Sequence, residues 1–517
     1  LRIQVVESET GPPIENAYVM VGTAEAAVYE DNFEDVLAGN SPDLSNTGQT
    51  DANGYIEFLD HGGALSGPVM VTAGIAGRNY FSVVDVDASD LVLPLTLLSV
   101  PQTTSTISGS LINFNDLAND GFLDGSMVFG NLSLETMLRF NLNALMAATE
   151  CWLACSVPLM GDQYAPIPTN LYVPAQQETY IFDIDINEHT YATVPIPDGT
   201  TNLLGLSGKL PWDAVVDMLL NGTGTLSDLV GMMVPTEIGV IRNKAISGDE
   251  NNVDIPLDYD LLPNVDFTID NNPTASDVLC TTFGDWNGTN GVGPLFPMGM
   301  QIAAYDSGFP TIIQVSSIDD TSDFAGISYL AGAVALYMDG SRAGIPAGTA
   351  DGISSVLDRS LTSFDGDGGS MTFDDFFSIS PLTEARPDFS FSDVSNANSP
   401  LLHYTEHRLD RVLSVTYVPD PTDCPDSITD DIGRENYWTI LTAPTATGFT
   451  LPTLPAGWPR QADGGLMDPA GTPQEDRLNW AFAAYHLGLA SSFDFNLFEF
   501  ADFMDTVTHS SFNNRDF

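Results

Sequence analysis

The feature that most constrains this chain is a short alternation that recurs along most of its length. Runs such as Tyr180-Ile-Phe-Asp-Ile-Asp-Ile, Val253-Asp-Ile-Pro-Leu-Asp-Tyr, Val265-Asp-Phe-Thr-Ile and Leu413-Ser-Val-Thr-Tyr-Val place an apolar side chain at every second position. A period of two puts successive side chains on opposite faces, which is the pattern of a half-buried β-strand. Gly, Pro, Asn and Asp cut the runs short, and with 45 Gly and 33 Pro the chain has ample turn material. The expected fold class is therefore mainly β. At 517 residues with 43 % hydrophobic content, the chain has enough apolar side chains for several cores. No apolar run approaches the roughly 18 residues of a membrane-spanning helix.

Charge narrows the partners. Fifteen Lys and Arg face 70 Asp and Glu, for a net charge of −55. Lys209 and Lys244 are the only lysines. A surface of this sign repels nucleic acid and anionic lipid and attracts cations. Two causes fit it: a saline medium, or Ca²⁺ sites built from Asp, Asn and Gly loops. Both point to an extracellular or cell-surface location.

The first hundred residues carry a more specific pattern. Val5 lies on an opening strand from Leu1 to Val6. It is followed by Thr10-Gly11-x-Pro13-Ile14-x-Asn16-Ala17-x-Val19 and, after an acidic insertion, by Thr50-Asp51-Ala52-Asn53-Gly54-Tyr55-x-x-Phe58. Thr-Gly-x-Pro makes a tight turn. Asp-Ala-Asn-Gly supplies side-chain hydrogen bonds to the backbone and a positive-φ residue before the next strand. Residues 1–98 thereby resemble the carboxypeptidase regulatory-like family, a transthyretin-like β-sandwich. The resemblance implies a transthyretin/Ig-like fold for that stretch and a spacer, stalk or docking role, because such domains carry no fixed activity of their own.

Beyond a Thr- and Ser-rich linker at 101–110, the sequence predicts a β-rich body over 111–397 with a few helices, then a C-terminal β/α segment over 398–517. Leu134, Leu138, Leu142 and Leu145 share one helical face within 132–149. A short helix is expected over 212–220 and a longer one over 473–489. The latter has Thr472 as N-cap, Pro473 at the first helical position and Glu475 closing a capping box. A further helix over 496–504 completes a helical C-terminal segment.

Four cysteines, Cys151, Cys155, Cys280 and Cys424, are too scattered for a zinc pattern. In an oxidising compartment they allow three pairings, of which Cys151–Cys155 with Cys280–Cys424 is the expected one; buried free thiols are the alternative. Two Asp/Gly loops have Ca²⁺-like spacing. One carries Asp116, Asn119, Asp120 and Asp124, the other Asp365, Asp367, Asp374 and Asp375. The second opens as an EF-hand loop does, but Phe376 stands where the closing Glu belongs.

One catalytic motif stands out. His403-Tyr-Thr-Glu406-His407 spells the inverted zinc-protease sequence, in which two histidines one helical turn apart hold Zn²⁺ and the glutamate acts as general base. Glu475 is the candidate third ligand. The surroundings read as strand, and on a strand the two histidines stand about 13 Å apart at about 3.3 Å per residue, too far to share one ion. No nucleophile elbow, P-loop or dinucleotide fingerprint is present. Three Asn-x-Ser/Thr triplets, at Asn131, Asn221 and Asn287, match the glycosylation sequon; Trp152, Trp286 and Trp458 beside Pro/Gly turns could form a sugar-stacking platform, with a core role the commoner one for aromatics.

The sequence thus favours a non-enzymatic extracellular structural protein, such as a surface-layer, appendage or fibre component or an adhesin-like protein. Its partners would be other copies of itself or other surface proteins. A secreted zinc metallopeptidase centred on residues 403–407 and a carbohydrate- or surface-binding module array are the alternatives.

Overall fold

The computed structural model describes residues 1–7, 11–29, 43–58, 68–98, 104–113, 122–131, 170–174, 179–186, 190–211, 213, 234–269, 277–287, 294–303, 311–318, 322–337, 352–359, 370–373, 376–395, 400–417, 428–459, 477–488 and 506–516. These residues are mainly β, and the only complete helical element among them is a single 3₁₀ turn, Ser322–Phe324.

The first ninety-odd residues form two facing sheets. In one, Arg2–Glu7 pairs antiparallel with Tyr55–Glu57 and parallel with Asp90–Leu95. The other carries Thr47–Gln49, Tyr18–Val21, Val69–Gly74 and Tyr80–Val86 in that order. Inward residues from both faces meet in one core: Ile3, Val5, Val19, Val71, Phe81 and Leu93. The turn motifs behave as their composition dictates. Asn16 and Gly54 both take positive φ, at 63° and 73°. Asp51 accepts hydrogen bonds from the N–H groups of Asn53 and Tyr55, and these bonds hold its carboxyl below the usual range. Thr50 Oγ1 donates to the Ile14 carbonyl and accepts from the Ala17 N–H, which ties the two turn motifs together.

The second of these sheets does not stop at residue 86. It continues into a twelve-stranded sheet that crosses all three expected segments. From one edge the order is Leu295–Ala303, Asp277–Asp285, Ser328–Tyr337, Gly352–Asp358, Val507–Asp516, Arg477–Leu487, Tyr404–Tyr417, Ile428–Thr442, Tyr80–Val86, Val69–Gly74, Tyr18–Val21 and Thr47–Gln49. The join is a parallel pairing of Trp438–Leu441 with Tyr80–Val83. Trp438 Nε1 donates across it to Ser82 Oγ at 2.9 Å, and Ser82 in turn meets Thr72 at 2.8 Å. Leu441, Tyr404, Tyr485 and Phe512 belong to the same apolar cluster as the N-terminal core, so the join is packed as well as hydrogen-bonded.

Smaller sheets cover the large one. Leu262–Ile269, flanked by Thr311–Ser317 and Ser370–Phe373, buries Val265 and Phe267 in a cluster with Val278, Cys280, Phe296 and Ala333. The sheet Leu382–Ala385, Asp388–Phe391 and Gly448–Thr450 lays Phe389, Phe391 and Phe449 against Trp480 and Phe482. A further six-stranded sheet holds Phe122–Phe129 and Gly199–Pro211 beside Val234–Ile246.

The expected helix at 473–489 is not formed. Residues Arg477–Leu487 are a strand in the middle of the large sheet, between Tyr404–Tyr417 and Val507–Asp516. Both faces of that strand are buried, Trp480, Phe482 and Ala484 on one and Ala481, Ala483 and Tyr485 on the other. A strand covered on both sides loses the polar half of its alternation, and an Ala-rich apolar run then reads like a helix. The capping residues Thr472, Pro473 and Glu475, and the helices expected at 132–149, 212–220 and 496–504, lie outside the described residues, save Asp213, which is helical.

Candidate functional site: the histidine-bearing strand

The zinc-protease motif runs from the residue before strand Tyr404–Tyr417 into that strand. Alternation separates its members. His403, Thr405, His407 and Leu409 fall on one face, and Tyr404, Glu406, Arg408 and Asp410 on the other. The proposed general base therefore faces away from both histidines.

His407 is fully buried. Its ring lies among Phe391, Phe449, Phe482 and Trp480, with centroids 4.5, 4.8, 5.3 and 6.0 Å away. Both ring nitrogens are in use. Trp480 Nε1 donates to Nδ1 at 3.3 Å, and Nε2 lies 3.1 Å from Thr405 Oγ1. An indole N–H only donates, so Nδ1 must be the bare nitrogen and Nε2 must carry the proton. The relay continues: Nε2–H donates to Thr405, Thr405 to Thr442 Oγ1, and Thr442 to the Ala443 carbonyl at 3.5 Å. Every proton has an acceptor. Burial pulls the imidazole down to about 3, so the ring is neutral. A metal would have to displace Thr405 or Trp480 to reach it.

His403 is also buried but belongs to a different neighbourhood. Its Nδ1 accepts the Leu487 N–H at 3.2 Å, and its ring lies 4.9 Å from that of His486. The two motif histidines thus have separate partners, and the zinc geometry is not formed. Among the described residues no group of three or more His, Cys, Asp or Glu side chains converges as a metal site would.

The opposite face is polar and equally enclosed. Glu406, Arg408 and Asp410 are each less than a tenth exposed. Arg408 Nη2 donates to Asp410 Oδ1 at 3.3 Å. Nearby, Asn436 and Asn79 both donate to Thr439 Oγ1, at 2.8 and 3.4 Å. Asn79 also brackets Thr96 through both backbone and side chain. This polar stripe lies along the join between the N-terminal strands and the C-terminal hairpin. Paired buried charges of this kind contribute little net stability but penalise any register that leaves one of them alone.

The other candidates fare as follows. Cys280 is a free thiol, fully buried on strand Asp277–Asp285 among Val278, Phe296, Met298 and Ala333, so the expected bridge to Cys424 is absent. Burial pushes its thiol well above the ordinary range. Cys151, Cys155 and Cys424 lie outside the described residues, as do Asp116, Asn119, Asp120, Asp365, Asp367, Asp374 and Asp375; Asp124 is placed on strand Phe122–Phe129, opposite Lys209. Trp286 and Trp458 are not sugar platforms. Both are buried, Trp286 stacked on Phe296 at 3.9 Å beneath the Arg242 guanidinium, and Trp458 against Tyr80 and Tyr18. Trp152 is outside the described residues.

Alternation alone could have separated Glu406 from the two histidines. The aromatic enclosure of His407 could not be foreseen, because Phe391, Phe449 and Trp480 come from distant strands.

No protein-family profile matches the chain, and no curated protein does either. Among solved structures, a streptococcal ancillary pilin aligns over 72 % of this chain and 98 % of its own, at 11 % identity and a TM-score of 0.10. A likeness of that size carries no argument about fold or role.

Proposed function

We propose that this chain is a non-enzymatic structural protein of the cell exterior: a surface-layer, appendage or fibre component, or an adhesin-like protein. The observation that carries the reading is the continuous twelve-stranded sheet, in which N-terminal, middle and C-terminal strands are hydrogen-bonded into one unit. Side chains that commonly do chemistry or bind ligands, His403, His407, Cys280, Trp286 and Trp458, are enclosed within that unit as packing elements. The acidic surface suits an aqueous, ion-rich exterior. The two-sheet arrangement of residues 1–98 supports a regulatory-like domain acting as a stalk or docking module. In this reading Ca²⁺ binds the two acidic loops and bridges neighbouring copies, since chains of this charge otherwise repel one another.

Immunogold labelling of intact cells, with negative-stain microscopy of purified protein with and without a chelator, tests the proposal. The expected result is surface label and assemblies that dissociate on chelation. Label confined to the cytosol, or turnover of peptide or glycan substrates at enzyme-like rates by contaminant-free protein, would overturn it.

A further inference from the structure

Three of the chain's six histidines stand side by side at one end of the large sheet. His403 precedes the strand Tyr404–Tyr417, His486 lies near the end of Arg477–Leu487, and His509 near the start of Val507–Asp516. Their rings touch in sequence: His403 to His486 at 4.9 Å, and His486 to His509 at 5.4 Å. His486 and His509 are direct partners in the strand register, and the register slips at the next residue, between His486 and Leu487. The stack therefore sits where the ladder is least regular. It grades from the enclosed His403 to the half-exposed His486 and His509.

Each ring is tied to a neighbouring element. His403 Nδ1 accepts the Leu487 N–H, His486 Nδ1 lies 2.7 Å from the Leu401 carbonyl, and His509 Nδ1 lies 3.0 Å from Thr508 Oγ1. Phe377 covers His509 edge-on at 6.3 Å. The segment carrying Phe377 is fastened to the same strand, with Ser511 Oγ donating to the Ser378 carbonyl and Asn513 to the Ser380 carbonyl.

Few charged side chains among the described residues face the stack. Among the described residues, the segment 376–380 offers no titratable side chain. On the segment before and into Tyr404–Tyr417, Glu406 faces the other way. On Gly352–Asp358, Val356 is the register partner of His509, and Asp358, half-buried, is the next residue on that face. His509 is held down to about 4, first by burial and then by His486.

We propose that the His403–His486–His509 stack is an acid-sensitive latch. Neutral, the rings pack and close the seam between Arg477–Leu487 and Val507–Asp516; protonated, they repel one another and open it. Two imidazolium rings with centroids 5.4 Å apart repel one another, which works against this packing. Linkage gives the same direction. The depressed folded value means that the unfolded or opened form binds the proton more readily, so closure is favoured above the ordinary histidine range and lost as pH falls towards about 4.

Hydrogen exchange by mass spectrometry on the full chain, corrected for intrinsic rates, tests the latch. Peptides covering 477–488 and 506–516 are expected to lose at least tenfold protection between pH 7 and pH 4, well beyond any loss at 2–7. The H486Q/H509Q variant is expected to lose markedly less protection over the same range than the parent chain, keeping only the loss that His407 contributes. Unchanged protection in the parent chain, or equal loss in the variant, would overturn the proposal. Should the double variant fail to fold, ring NMR of the parent chain decides: His486 and His509 titrating in step with the loss of protection supports the latch, and titration without any loss overturns it.

Discussion

The indole N–H of Trp480 donates to Nδ1 of His407 across 3.3 Å, and this contact fixes which nitrogen of the imidazole carries the proton. Phenylalanine at 480 keeps most of the ring volume and removes the donor, leaving Nδ1 buried and unsatisfied. Trp480→Phe is expected to lower stability by about 1–3 kcal/mol. Urea unfolding followed by circular dichroism measures it, and an unchanged midpoint would show that the contact does not hold the ring.

His407 also makes acid stability local. Its folded value lies near 3, below the ordinary histidine range, because the charged form cannot be solvated in an aromatic enclosure. Between those two values the unfolded chain binds a proton that the folded chain refuses. Its contribution is therefore complete above the ordinary range and lost as pH falls, with a slope of at most about 1.4 kcal/mol per pH unit. His407→Gln retains a donor and an acceptor but cannot titrate. Unfolding free energies from pH 7 to 4 are expected to fall less steeply in the variant than in the parent; parallel curves would contradict the assignment.

Gly299 sits on the edge strand Leu295–Ala303, opposite Thr282. A Cβ placed there would stand 1.9 Å from the backbone carbonyl oxygen of Ser316, which belongs to the covering strand. Backbone cannot swing aside as a side-chain tip does. Gly299→Ala is expected to cost roughly 1–3 kcal/mol as overpacking, read as a lowered melting temperature. A neutral substitution would mean that the two strands are further apart than described.

Cys280 is expected to resist thiol reagents in the native state and to react on unfolding, because burial disfavours its thiolate. Cys280→Ala should be tolerated better than Cys280→Ser, whose hydroxyl would have to replace its lost water bonds at a cost of about 1–3 kcal/mol. Timed labelling with a maleimide, alongside melting curves of both variants, checks the pair. Rapid labelling of the native protein would contradict the burial.

Much of the strand content was legible in the sequence, and the reason is local. Leu1 to Val6 anticipates Arg2–Glu7, and the Asp51 and Gly54 turn behaves as its side chains require. Failure came where both faces of a strand are covered. Trp480, Phe482, Ala483 and Tyr485 carry no alternation because the large sheet is enclosed on each side there, and the capping residues upstream made a helix plausible. The histidine motif was legible as residues but not as a neighbourhood. That His403 and His407 cannot share an ion followed from strand spacing, but which neighbours enclose each depends on distant strands such as Asp388–Phe391 and Arg477–Leu487, and no local pattern encodes that. For Cys280 the sequence favoured a bridge to Cys424 over a buried thiol, and its core place rests on neighbours such as Phe296 and Ala333 that no local pattern brings to it.

The position of Val507–Asp516 has a kinetic consequence. This strand lies between Gly352–Asp358 and Arg477–Leu487, yet it is made after both. Until it arrives, each of those strands presents an open edge of unpaired amides, and the two halves of the sheet have nothing to bridge them. Contacts of such long sequence separation close slowly, because the entropy of the intervening loop is lost before the pairing rewards it. Synthesis of the chain therefore passes through a long interval in which the edge of Gly352–Asp358 awaits its partner, joined near the end by the edge of Arg477–Leu487. A holding chaperone, or secretion ahead of folding, would keep those edges from finding the wrong neighbour.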